Sequence, residues 1–120
     1  MFAQAVGLHQ AGRLPQAEEL YRQVVKANPS HAAALCNLGA VLAQQGRPAE
    51  ALRHYETAIR LQPDNPDTRF NLGNALRALG KFAEAAECYR AALRLKPAHL
   101  GSVFNLGLCW RAQGKWEDAQ

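Results

Sequence analysis

Cysteine is scarce in this 120-residue chain, which has only Cys36, Cys88 and Cys109. Three is an odd number and no two share a CxxC spacing, so neither a disulfide framework nor a thiolate zinc site is indicated. Long apolar runs are lacking as well. None approaches the roughly 20 residues that a membrane-spanning helix needs, and the opening Met-Phe-Ala-Gln-Ala-Val-Gly has no charged n-region of a secretory signal. These absences predict a cytoplasmic chain in a reducing compartment, with no membrane partner. Charge of one sign never gathers into a block: the formal net charge is +4, yet the 14 lysines and arginines are scattered singly, so basicity alone decides little. No GxSxG, P-loop or HExxH motif occurs. His9, His31, His54 and His99 lie far apart, none at metal-ligand spacing from a Cys, Asp or Glu on one helix face. The reading is therefore a binding protein with no catalytic, metal or cofactor residue to nominate. His31 and His99, at one inter-repeat position, read as surface or capping residues.

What is present is a folded composition, 48% hydrophobic and 20% charged, organised by a strict period. Pro29, Pro63 and Pro97 recur every 34 residues. In the same register stand Asn-Leu-Gly at 37–39, 71–73 and 105–107, then Gly12, Gly46, Gly80 and Gly114, then Ala17, Ala51, Ala85 and Ala119, and finally Tyr21, Tyr55 and Tyr89.

Within one period, Leu35, Leu38, Gly39 and Leu42 fall three, four and seven apart, one stripe of a helix over about 32–45. Gly46 supplies a tight turn and Pro48 opens a second helix, where its missing N–H costs nothing. Ala51, Tyr55 and Ala58 at i, i+4 and i+7 form that helix's inner face. Gly39 is expected opposite Ala51, with Tyr55 filling the space beside the close approach. Pro63 ends the hairpin and Pro66 opens the next. The expected domain is single, with repeats at 1–31 (shortened at its N-terminal side), 32–65 and 66–99, and a partial one at 100–120. First helices are expected near 2–11, 32–45, 66–79 and 100–113. Glu18–Arg22 and Glu56–Arg60 should pair at i, i+4 on a solvated outer face.

Leu38-Gly39, Leu42, Gly46, Ala51, Tyr55, Ala58 and Pro63 resemble the tetratricopeptide repeat (TPR) family, and the match extends over the whole chain. Departures are few. The family's early Trp position holds Leu35, Arg69 and Val103, and the first repeat has Ala5 where Gly is usual and Val24 where Ala is usual. The resemblance implies an all-α fold of helical hairpins stacked into a right-handed superhelix, an α-solenoid, whose first helices line a concave wall. That wall should show Phe2, His9 and Gln10. It should continue with Cys36, Asn37, Ala40 and Gln44, then Asp67, Phe70, Asn71, Asn74 and Arg77, then Phe104, Asn105, Leu108 and Arg111.

Asn37, Asn71 and Asn105 form the column that most needs a reason, because asparagine is a poor mid-helix residue. A primary amide both donates and accepts, so such a column can pair with the backbone of an extended peptide without reading its side chains. The other reading is that these amides are solvated or bridge helices. Phe2, Phe70 and Phe104, with Cys36 in their column, either contact a ligand or fill the seam between adjacent first helices. The candidate peptide-binding residues are Asn37, Gln44, Phe70, Asn71, Asn74, Arg77, Phe104, Asn105 and Arg111.

The asparagine column is similar to that of O-linked N-acetylglucosamine transferases and their bacterial relatives, which implies an alternative role as the substrate-recruiting region of a larger glycosyltransferase. The carboxylate clamp for heat-shock chaperone tails is another TPR use, but Asn37 alone fits its pattern. Phe2 and Val6 take the first-repeat positions, and Asp67 and Asn71 stand where cations are needed. RNA-reading helical repeats are disfavoured by the uncharged asparagines and few inner cations. A third expectation is self-association through an uncovered apolar end at Leu106, Trp110 and Trp116.

Overall fold

A computed structural model describes residues 1–114, and in them the chain forms α-helices and turns. The helices are α1 (Phe2–Gln10), α2 (Leu14–Ala27), α3 (Ala32–Gln44), α4 (Pro48–Leu61), α5 (Pro66–Ala78), α6 (Phe82–Leu95) and α7 (Leu100–Ala112). Each first helix stops one residue short of the sequence-based expectation. Trp116 lies outside the described residues. None of these helices is long and apolar enough to cross a membrane.

The chain divides into two compact units, Met1–Pro63 and Asp64–Gln120. In the first, α1 packs on α2, α2 on α3 and α3 on α4. Ala5, Ala17, Tyr21, Leu35, Leu38, Leu42, Ala51 and Tyr55 form its buried interior. In the second, α6 packs between α5 and α7, which also touch each other. Ala85, Tyr89, Ala92, Leu106 and Cys109 are buried there.

Local chemistry sets the turns. Gly46 has φ +78°, which only glycine adopts freely. Its N–H donates to the Ala43 carbonyl at 3.0 Å and the Arg47 N–H to the Leu42 carbonyl at 2.9 Å, the paired bonds of a Schellman stop. Pro48 and Pro66 open α4 and α5 in the first turn. At α5 the side-chain Oδ1 of Asn65 also accepts the Asp67 N–H at 3.0 Å.

One packing expectation holds and three others need correction. At Gly39 the ring of Tyr55 fills the space as expected, its Cε1 lying 2.6 Å from where an added Cβ would stand. Glu18 does pair with Arg22 at 2.9 Å, but it is no solvated outer residue: its side chain is 15% exposed. It also accepts from Gln45 and from Arg47, each at 2.9 Å, and so ties α2 to the turn after α3. Arg60 donates to Thr57 at 3.1 Å in place of the expected Glu56. Leu106 is buried, at 6% exposure, because its stripe of α7 faces the interior of the second unit. Trp110 is half-buried beneath the Arg90 guanidinium, 5.5 Å from the ring centroid. The exposed apolar residues of α7 are instead Leu100, Val103 and Phe104.

Candidate peptide-binding face

In the second unit the repeat period brings α5 and α7 side by side, so residues about one period apart become neighbours. Phe70, Asn74 and Arg77 lie at i, i+4 and i+7, one stripe of α5, and Phe104, Leu108 and Arg111 occupy the matching stripe of α7. Between the stripes Asn105 donates its amide N–H to the Asn74 carbonyl oxygen at 2.7 Å. The same oxygen accepts the Tyr89 hydroxyl at 2.6 Å. Arg77 Nε donates to that hydroxyl at 3.4 Å, and the Asn105 amide lies near it. Tyr89 is fully buried. Burial raises the pKa of its phenol, and the nearby donors of Arg77 and Asn105 offset this only in part, so it remains a neutral donor.

Asn105 thus bridges helices, one of the two readings the sequence left open for its column. Asn105 links α7 to α5 and, through the shared Asn74 oxygen, to the tyrosine of α6. In the first unit the Asn37 amide of α3 lies near the Tyr21 hydroxyl of α2, where it partly counters the rise that burial gives that phenol. His9 of α1 completes that cluster: its Nδ1 meets the Tyr21 hydroxyl at 3.2 Å, and its Nε2–H donates to the Gln44 carbonyl oxygen at 2.8 Å. Asn37, Asn71, Asn74 and Asn105 are all half-buried, so each retains some surface.

The phenylalanine column divides. Phe2 packs on Tyr21 and His31, with ring centroids 6.1 and 4.6 Å apart. Phe70 packs likewise on Tyr89 and His99, at 5.9 and 4.9 Å. Both fill a seam within their own unit. Phe104 is 68% exposed. Gln44 and Arg111 are exposed, and Arg77 and Leu108 are half-buried. Cys36 is half-buried.

His99 takes part in a chain with the connectivity of a catalytic triad. Its Nε2–H donates to Asp67 at 2.9 Å, and its Nδ1 accepts from the Ser102 hydroxyl at 2.9 Å. The sequence reading missed this pair because the partners sit on different helices, 32 residues apart. The arrangement is a cap. His99 Nδ1 also accepts the Ser102 backbone N–H at the start of α7, as His31 does from Ala34 at the start of α3. Ser102 is wholly buried, so no substrate carbonyl can reach its hydroxyl. Among the described residues no three His, Cys, Asp or Glu side chains gather as a metal site would require.

Helical hairpins of 34-residue period, with glycine turns and tyrosine-filled seams, define a helical-repeat protein. The tetratricopeptide repeat profile matches residues 30–98 and a TPR repeat profile matches residues 8–46. The chain belongs to the tetratricopeptide repeat family. No curated protein matches it. Among solved structures it is similar to MamA, at 22% identity and a TM-score of 0.90 over 96% of this chain and 67% of that one. A form of MamA from Desulfovibrio magneticus RS-1 running from residue 41 to the end gives 22% and 0.93 over 98% and 67%. The first TPR of Spaghetti (RPAP3), solved bound to the HSP90 peptide SRMEEVD, gives 20% and 0.91 over 93% and 89%. At such identities the likeness establishes the fold, an all-α array of TPR hairpins.

Proposed function

We propose that this chain is a protein-interaction module that holds an extended peptide segment against its first helices. The observation that carries this reading is the Asn74–Asn105 pair. The Asn74 carbonyl oxygen accepts two bonds, from Tyr89 and Asn105, which leaves Asn74 to act outward as a donor through its amide nitrogen. Asn105, having spent one N–H, keeps a carbonyl acceptor. A donor and an acceptor held on adjacent helices match the C=O and N–H of a peptide backbone, and the internal bonds pre-organise them. Asn37 and Gln44 offer similar groups in the first unit.

Protein interaction also agrees with the family, one of whose solved members holds a heat-shock peptide. An acidic tail of that kind does not suit the clamp position in this chain, because Asp67 there is 74% exposed and negatively charged. The test is binding to extended peptides with Asn37, Asn71 and Asn105 all changed to alanine, alongside a melt to confirm folding. Unchanged affinity in the folded variant removes the amides from recognition.

The resemblance to glycosyltransferase repeats rests on the amide column alone. A transferase domain encoded in the same reading frame would support a substrate-recruiting role. Self-association is favoured by a different observation, the exposure of Leu100, Val103 and Phe104 at 78%, 51% and 68%. Light scattering over a concentration series tests it, and a strictly monomeric result ends it.

A further inference from the structure

The α5–α7 face is chemically polarised along its helices, which bears on the kind of peptide it accepts. This inference rests on the peptide-binding reading and adds a specificity to it. At the N-terminal end stand Phe70 and the exposed Phe104, with the Asp67 carboxylate bound to His99 beside them. The amides of Asn74 and Asn105 bridge the middle. At the C-terminal end stand Arg77 and Arg111. Arg77 is fixed at the seam: its Nε is held by Tyr89, and its charge acts on the buried thiol of Cys109 across on α7, partly countering the rise that burial causes there. The two Nη groups of Arg77 remain for a carboxylate. Asp67 repels acids from the apolar end, so a ligand's acidic group is sorted to the arginine end.

The spacing sets a pattern. Phe70 to Arg77 and Phe104 to Arg111 are each seven residues, about 10 Å of helix at 1.5 Å per residue. An extended strand covers that length in about three residues. We propose that this face selects extended segments carrying an aromatic or aliphatic side chain three positions from an aspartate or glutamate, with the amides between reading the backbone.

The experiment pans the whole chain against a displayed library of random dodecapeptides and then measures Kd for synthetic copies of those enriched. Enrichment of an apolar residue three positions from an acid is expected. Changing that acid to its amide should weaken binding about tenfold, and added salt should narrow the difference. Arg111→Gln, at an exposed position, and Arg77→Gln, checked by its melt, should each reduce the preference for the acid. Peptides enriched without an acid at that spacing, or a preference intact in the Arg77→Gln/Arg111→Gln double variant, would overturn this inference while leaving amide-based recognition standing. No enrichment at all would overturn both.

Discussion

The ring of Tyr55 occupies the space where Gly39 would otherwise carry a Cβ, with Cε1 only 2.6 Å from that position. Tyr89 stands to Gly73 in the same way, at 2.7 Å. An added methyl therefore meets a buried ring that cannot swing aside, whereas among the described residues nothing lies within 4 Å of a Cβ at Gly107 on α7. Gly39→Ala and Gly73→Ala should each destabilise by about 1–3 kcal/mol through overpacking. Gly107→Ala, three positions after an exposed Phe104, should instead stabilise by up to about 1 kcal/mol through helix propensity. Urea melts of the three variants check the contrast, and equal effects at Gly39 and Gly107 would refute this account of the hairpin seam.

Glu18 joins α2 to the turn after α3 through Gln45 and Arg47 while holding Arg22 on its own helix. Burial pushes its carboxyl up, but the bonds from Gln45, Arg22 and Arg47 outweigh that and hold it below the ordinary 4.5. A lowered acid contributes stability that is complete above its unfolded pKa and is lost as pH falls through the folded one. Glu18→Gln should cost about 1–2 kcal/mol at neutral pH. The difference from wild type should shrink as pH falls from just above 4.5. Denaturant midpoints at pH 7 and in the acid range test this, and a pH-independent difference would count against the network.

Much of this architecture was legible in the sequence, because its punctuation is local. Gly46 and Pro48 set a helix stop and start by backbone geometry alone, and the first-helix ends fell within one residue. Periodicity fixed which face of α3 is buried and named Tyr55 as the ring beside Gly39, which is where that ring lies. The site was less legible. Asn105 reaches Asn74 across 31 residues, His99 reaches Asp67 across 32 and Gln44 reaches His9 across 35. Windows of one helix cannot show such pairs. The 34-residue register was the signal for them, since residues about one period apart come to lie side by side within a unit. Leu106 was misjudged for the converse reason: a stripe that looked uncovered is closed by packing within its own unit.

His54 carries a buried Nε2 with no hydrogen-bond partner among the described residues. Burial, then the charges of Arg53 and Arg22, lower its pKa below the ordinary 6.5, against the opposing pull of Glu50. The fold therefore favours the neutral imidazole, and the unfolded chain binds the proton first as pH drops. Stability tied to this residue is complete above 6.5 and declines below it. His54→Leu removes both the orphaned nitrogen and the proton. Its melting temperature should rise relative to wild type, with the gap wider at pH 5.5 than at pH 8. A gap that narrows on acidification would contradict the lowered pKa.

Tyr89 offers a way to separate the two functions of the asparagine column. Its hydroxyl is bonded to Asn74 and Arg77 behind the face, where no peptide touches it, and Asn74 stays bonded to Asn105 if the hydroxyl is removed. Tyr89→Phe should therefore cost about 0.5–1.5 kcal/mol of stability and leave within about twofold the affinity for an enriched peptide whose acid has been changed to its amide, which does not draw on Arg77. Asn105→Ala removes the bridge and the outward-facing acceptor together. It should cost a similar amount of stability and also weaken the peptide about tenfold, the effect of losing a pre-organised backbone bond. Parallel melts and titrations on the two variants decide the matter. If both lose stability and neither loses affinity, the amides bridge helices and do nothing more; if affinity falls only with Asn105→Ala, the same side chain ties the helices together and reads the ligand.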